Sequence, residues 1–379
     1  MRIAVIIPSF NEVGNIADML RKVDTGMCDL NMGSDHAIVS VDNGSTDGTQ
    51  SVIASTNTKT HKVFIDNSTI TAHGKGANIA KGLEYAKDFD AVLMFDADLK
   101  TFEPNWVALF VNEIVTNKTD LVAPIYTRNR YEGNTTNHFS CPLLSVAFDY
   151  LFLQPISGDF GFSKRLVNLL QGAFTWESDF KYGVDTVITW TALGNGLDVS
   201  QIQLGKKIHN PSFGKIVPMF QQVSISTIKQ LSLNRERILK NLRNGIQLLG
   251  TDIQLINIDE EFVSKPSQES IQKTAQLVQE RLTSTAFTAI SKELGVVGIE
   301  HEPWVNGLAT IAVKALTTPN MSYEYASKLE TILSPLYLLR VLQYFDEIEN
   351  LGVSDINILL SNQLKQIGDA ITERIKDEQ

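Results

Sequence analysis

The feature that most constrains this chain is a unit that recurs early in it: a short apolar strand, a polar loop, then a helix. Ile3 to Ile7 is an unbroken β-prone run that meets Pro8, and apolar residues at helical spacing follow over 13–23. Residues 37–41 lead through 42–47 into a helix from Gly48, and 62–65 lead through 73–76 into a helix ending near Lys87. A fourth apolar run, 91–95, ends on Asp96-Ala97-Asp98. Short buried strands alternating with helices predict an α/β fold, with a largely parallel sheet covered on both faces. In such sheets ligands bind at the carboxyl ends of the strands. The unusual polar motifs of this half all fall there.

Past Pro218 the pattern changes. Segments 223–249, 268–294, 323–351 and 356–376 carry apolar residues three and four apart, which predicts helices. The reading is a domain over 1–219 followed by a mainly α-helical domain over 220–379, in which Pro266, Pro303, Pro319 and Pro335 mark connections or first turns. A length of 379 residues also favours two domains over one.

Composition narrows the function classes. A net charge of −10 argues against a broad basic face for nucleic acid or anionic membrane. Cys28 and Cys141 are too few for a disulfide framework and lack zinc-ligand spacing. The opening apolar run is too short for a signal peptide, and no later segment offers the roughly 18 apolar residues of a membrane helix. A cytoplasmic protein without a transmembrane segment is expected.

Four loops could carry chemistry. Pro8-Ser9-Phe10-Asn11-Glu12 places a carboxylate where a nucleotide could meet it, although Asn11 and Glu12 equally suit a helix cap. Asp42-Asn43-Gly44-Ser45-Thr46-Asp47-Gly48-Thr49 suits recognition of a nucleobase edge, or an ordinary Asx-rich turn. In His73-Gly74-Lys75-Gly76 the glycines would let a phosphate approach the backbone and Lys75 would supply positive charge, but P-loop spacing is missing. The strongest is Asp96-Ala97-Asp98, a DXD motif. Two carboxylates at a strand end can aim oxygens at one hard cation bridging a diphosphate, and like charges there are costly unless neutralised.

In this order and spacing, the four elements resemble the family 2 glycosyltransferases and their retaining relatives of GT-A fold, over about residues 1–215. The run from Asp96 to Trp106, Gly183-Val184-Asp185-Thr186 and the late His209 are similar to mannosylglycerate synthase and its glucosyl-phosphoglycerate relatives. The resemblance implies a nucleotide-sugar donor at Pro8, Phe10, Glu12, Asp42, Ser45, Lys75 and Asp96, with Glu12 and Asp42 on the nucleoside. It implies Mn²⁺ or Mg²⁺ on Asp96, Asp98 and His209, and a loop Ser157-Gly158-Asp159 that cradles the transferred sugar. At that loop relatives more often carry glutamate, one methylene longer than Asp159. Asp185 falls where relatives place a carboxylate near sugar and acceptor, and also suits a helix cap. Arg128 and Arg130 could recognise an acceptor carboxylate or phosphate through their fork-shaped donors, or be surface charges.

The activity implied is metal-dependent hexosyl transfer to a small hydroxy acid such as glycerate or phosphoglycerate, with retention. Inverting transfer to a glycan or lipid-linked acceptor, with Asp185 as base, is the alternative within the class. A sugar-nucleotide pyrophosphorylase is disfavoured because its glycine-rich, arginine-containing signature is missing after the first strand. A non-catalytic nucleotide-sugar-binding module is disfavoured by the presence of Asp96, Asp98, Lys75 and His209 together. The helical half reads as a packing domain or the interface of a homodimer, with Glu300, His301, Glu302 and Trp304 as candidates to face an acceptor.

Overall fold

The computed structural model describes residues 1–30, 35–69, 74–208, 213–250, 254–261, 263–294 and 302–377. In chain order the elements begin with β1 (Ile3–Ser9), α1 (Ile16–Asp29), β2 (Ala37–Asp42), α2 (Thr49–Ser55) and β3 (His61–Asp66). Next come α3 (Lys75–Ala86), β4 (Ala91–Met94), α4 (Asn105–Val115), β5 (Leu121–Arg128), a π-turn (Thr136–Ser140) and α5 (Cys141–Phe148). After these stand β6 (Phe160–Ser163), α6 (Lys164–Leu170), α7 (Val184–Gly194), β7 (Val199–Lys206), α8 (Ile216–Leu233) and α9 (Arg235–Asn244). The chain ends with β8 (Asn257–Ile258), α10 (Gln268–Leu282), α11 (Thr285–Leu294), α12 (Pro303–Thr317), α13 (Tyr323–Glu347) and α14 (Val353–Asp377).

Two compact units result: residues 1–126 with 156–210, and residues 127–155 with 211–379. A single cut at 219 is therefore not what the packing draws. Segment 127–155 groups with the helices because α5 packs on α9 and α14, burying Leu143, Leu144, Val146 and Ala147 there.

In the first unit the sheet order is β3-β2-β1-β4-β6-β5-β7. The pairs β1–β2, β2–β3 and β1–β4 are parallel. Every residue of β1, β2 and β4 is buried, as central strands covered on both faces must be, whereas the edge strand β3 is partly exposed. The chain winds outward from β1 to β3 and returns to β4 on the other side of β1, which makes a topological switch point between β1 and β4. The sheet is not purely parallel. Strand β6 runs antiparallel to both β4 and β5, a reversal that its four residues Phe160-Gly161-Phe162-Ser163 do not announce in sequence. The core lies between the sheet and α1 and α4, where Ile3, Val5, Leu93, Leu20, Val107 and Phe110 are wholly or almost wholly buried.

The second unit is helical, with β8 paired to the last residues of β5, Thr127 and Arg128. Its centre is aromatic. Phe220 and Tyr337 stack with ring centroids 3.8 Å apart, and the Trp304 indole donates to the His138 carbonyl at 3.2 Å. Trp304 thus belongs to this core, 2% exposed, and is not a residue presented to an acceptor. The proline expectation fails once: Pro303 opens α12 as expected, but Pro335 lies inside α13. Helix α13 continues through it because the surrounding turns, Ile332 to Leu338, are buried against neighbouring helices, which outweighs one lost N–H.

Candidate active site at the strand ends

The register of β6 builds the site. Met94, the last residue of β4, pairs with Phe160, the first of β6, so the chain leaving β4 and the chain entering β6 meet at one edge of the sheet. Asp96 is therefore brought to the loop Ser157-Gly158-Asp159. The Asp96 N–H donates to Asp159 Oδ1 at 2.8 Å. Gly158 has φ +88°, and a Cβ there would collide with Asp96 Oδ2, so both backbone and space require glycine.

Two lysines converge on this edge. Lys75 Nζ, at the start of α3, lies 2.5 Å from Asp96 Oδ1, 3.5 Å from the Gly158 carbonyl and 4.0 Å from Asp185 Oδ1. Lys207 Nζ, just past β7, lies 2.8 Å from Asp159 Oδ2, 2.5 Å from the Ser157 carbonyl and 3.7 Å from Asp96 Oδ2. Three carboxylates and two ammoniums thus share a little-exposed cluster, with the charges interleaved. Burial alone would pull the Lys75 ammonium down, but Asp185, Asp96 and Asp159 outweigh it and hold it above its ordinary range. Burial pushes the Asp185 carboxyl up to about 6; Lys75 and Lys207 oppose that rise, while Asp96 and Asp159 add to it. Its Oδ1 accepts no hydrogen bond among the described residues.

The glycines around Lys75 do something other than admit a phosphate. A Cβ on Gly76 would collide with the Asp179 carbonyl, and one on Gly74 would stand 2.7 Å from the Phe180 carbonyl. The Gly76 and Ala77 N–H groups already donate to Lys181 and Phe180 carbonyls at 3.2 and 2.9 Å. Protein carbonyls take the N–H groups that an anion would use at a helix start, so the expected backbone phosphate cradle is replaced by docking on loop 178–183. That loop is shaped by Asp179, whose Oδ2 accepts the Thr175 and Trp176 N–H groups. It leads directly into α7, and so the docking brings Lys75 to Asp185.

At β1 and β2 the sequence-predicted residues form a different structure. Asp42 is wholly buried and accepts from Ser9 Oγ, Gly44 N, Ser45 N, Ser45 Oγ and Gln50 Nε2, at 2.6 to 3.1 Å. No lone pair remains for a nucleoside, so Asp42 folds the loop instead of touching a ligand. Ser45 Oγ is likewise engaged, accepting from the Asn11 N–H at 2.8 Å. Asn11, at φ +56°, returns its side chain to the Thr46 N–H and stitches the two loops together. Pro8 is buried, whereas Phe10 stands 55% exposed at the strand end, open to stacking. Glu12 is half-buried; burial raises its carboxyl above the usual range, the Asn15 amide opposes this, and Asp98, Asp96 and Asp47 add to the rise.

Asp98 accepts no hydrogen bond and forms no ion pair among the described residues. Asp96 is already partnered by lysine, and no group of three candidate metal ligands occurs among the described residues. His209 lies outside the described residues, as do Glu300 and His301; Ile208, its neighbour in sequence, hydrogen-bonds Lys100 and Thr101. In the second unit, Arg128 Nε donates to Gln154 at 3.1 Å, and Arg130 donates to the Ile348 and Leu351 carbonyls at 3.4 and 3.0 Å. Arg130 thus closes the end of α13 and does not form a fork with Arg128.

Asp159 departs from its expected role. It is 0% exposed with both oxygens occupied, the second also accepting from Tyr126 Oη at 2.8 Å, so it cannot reach sugar hydroxyls. Sequence reasoning missed Tyr126, Asp179 and Lys207. Lys207 stands in an ordinary-looking pair with Lys206; the one available signal was its place directly after a strand, at the sheet edge that holds the motifs.

Residues 4–168 match the family model of Glycosyl transferase family 2. No match was found among curated proteins. Residues 4–168, less than half of the chain, thus carry the match to glycosyl transferase family 2 on a GT-A fold, and the protein is a glycosyltransferase. Among the solved structures that resemble it are those of glucosyl-3-phosphoglycerate synthase from Mycobacterium tuberculosis. Its complex with Mn²⁺, uridine diphosphate and phosphoglyceric acid matches at TM-score 0.50 and 25% identity, over 60% of this chain and 78% of that one. Its complex with Mg²⁺ and uridine diphosphate matches at 0.50 and 24%, over the same shares.

Proposed function

We propose that this chain transfers a hexose from a UDP- or GDP-linked donor to a small hydroxy acid, with glycerate or phosphoglycerate as the type, retaining anomeric configuration and requiring Mn²⁺ or Mg²⁺. One observation carries the reading: two lysines and three carboxylates interleaved at the carboxyl end of β4, beside the switch point of a family 2 domain. Breaking a glycosyl–phosphate bond leaves negative charge on the departing diphosphate. Lys75 and Lys207 are fixed ammoniums that offset it without reorganising. Asp185, with an oxygen free of hydrogen bonds, orients the acceptor hydroxyl. Phe10 supplies an exposed ring for the base.

A divalent cation fits the donor set at one point. Asp98 has an unengaged carboxylate, and its charge already disfavours ionisation of Glu12, so negative charge accumulates there without an offsetting partner. Asp98, with Asp96 and His209, would hold the ion, which when bound supplies Lewis-acid neutralisation of diphosphate oxygens. A cytoplasmic location and a homodimer through 220–379 complete the proposal; cell fractionation and sedimentation test them.

The deciding experiment incubates the protein with UDP- and GDP-linked glucose, mannose, galactose and N-acetylglucosamine, with Mn²⁺, Mg²⁺ or EDTA, and with or without glycerate and 3-phosphoglycerate. Metal-dependent release of nucleoside diphosphate, stimulated by one acid, is the expected result; no release from any donor refutes the reading. Inversion with Asp185 as base is a second reading, favoured by an Oδ1 that accepts no hydrogen bond among the described residues and a carboxyl pushed up to about 6, near the operating pH of a base. Proton NMR of the product separates the two: an α-linked donor gives an α-linkage by retention and a β-linkage by inversion.

A further inference from the structure

Asp159 is buried completely, yet it is held from three elements at once. Its Oδ1 accepts the Asp96 N–H past β4, and its Oδ2 accepts Tyr126 Oη from β5 and Lys207 Nζ past β7, each at 2.8 Å. An ammonium has three N–H bonds. For Lys207 one goes to the Ser157 carbonyl at 2.5 Å and one to Asp159, which leaves the third for the side where Asp96 Oδ2 stands at 3.7 Å. The Tyr126 ring adds a cation–π contact, with its centroid 5.0 Å from the same nitrogen. The lysine is therefore fixed from behind, and its free direction points at Asp96, which Lys75 meets from another element.

We propose that Asp159 and Tyr126 are positioning residues, which hold the Lys207 ammonium and the Asp96 backbone so that two ammoniums confront the charge handled at Asp96. The catalytic consequence rests on the transferase reading above. A displaced Lys207 would weaken stabilisation of the departing diphosphate more than capture of the donor, so kcat should fall while the donor KM stays nearly constant.

The test uses the full chain, with Tyr126→Phe and Asp159→Asn compared to wild type. Tyr126→Phe removes one hydroxyl and keeps the ring; it should lower kcat about tenfold, with the donor KM within about twofold. Asp159→Asn should lower kcat about a hundredfold. Acetylation of Lys207 by acetic anhydride, read by mass spectrometry on protein verified as folded by circular dichroism, should rise in both variants. Unchanged Lys207 acetylation overturns the proposal. So does wild-type kcat in both variants, or a loss carried by donor KM. Should Asp159→Asn not fold, Tyr126→Phe decides alone. A wild-type protein that turns over no donor defeats the transferase reading only, since acetylation still measures the positioning.

Discussion

The loops after β2 and β4 look alike in sequence: each begins with aspartate at the end of a buried strand, and each continues through short polar or small residues. Their carboxylates live differently. Asp42 is surrounded by five uncharged donors from its own fold, whereas Asp96 is held by two ammoniums and Asp98 by nothing among the described residues. A carboxylate saturated by neutral donors is content with the protein alone. One that is ion-paired or left unengaged can exchange its partner for a ligand. The number of donors around an acid, more than its position after a strand, separates scaffold from chemistry.

Substitutions put this contrast at risk. The largest effect is expected from Asp98→Asn: a loss of turnover of about a thousandfold or more, with a melting temperature close to wild type, since no described residue bonds that carboxylate. Equal activity in the variant would remove Asp98 from the chemistry. Next comes Asp185. Its carboxyl is pushed up to about 6, so it is protonated below that pH and ionised above it, and turnover should rise through an acid limb centred near pH 6. The limb should vanish in Asp185→Asn along with most activity; a profile flat from pH 5 to 8 in the wild type, measured as kcat on the active donor, would contradict the assignment.

Asp42→Asn should act in the opposite sense to Asp98→Asn. The amide turns a donor toward donors, so stability should drop by about 2 kcal/mol in denaturant titration, with the activity loss following the fold. If instead it lost turnover at full stability, the division between the two loops would collapse. The smallest effect belongs to Arg130→Ala, expected to cost about 1 kcal/mol by leaving carbonyls at the end of α13 unsatisfied, with the acceptor KM unchanged.

These loops also show how far the residues alone reveal the fold. The parallel half of the sheet was legible because β1, β2 and β4 are mostly apolar runs, as strands buried on both faces are. The acidic strand end at Asp96 was legible for the same reason, because a charge there is costly. The reversal of β6 was not, since four residues carry no polarity of direction, and without it the route from Asp159 to Asp96 could not be drawn. Gly74 and Gly76 were visible as special, but a glycine signals only a need for space, and the neighbour that fills it, loop 178–183, lies about a hundred residues away. Lys207 was hidden because its value comes from groups brought to it from afar, Tyr126 on β5 and Ser157 and Asp159 in the turn before β6.

Strand polarity has one more consequence, for how the chain can be cut and rejoined. β5 leaves the site edge after Tyr126, and the path to β6 comes back to that edge from Ile156, so for the ladder between them, Leu121 with Phe162 and Val122 with Gly161, everything between is a hairpin loop. The hydrogen bonds of that ladder do not depend on the loop's content. Exchanging 127–155 alone would keep that register yet strip α5 from α9 and α14, so a chimaera has to carry 127–155 and 211–379 together.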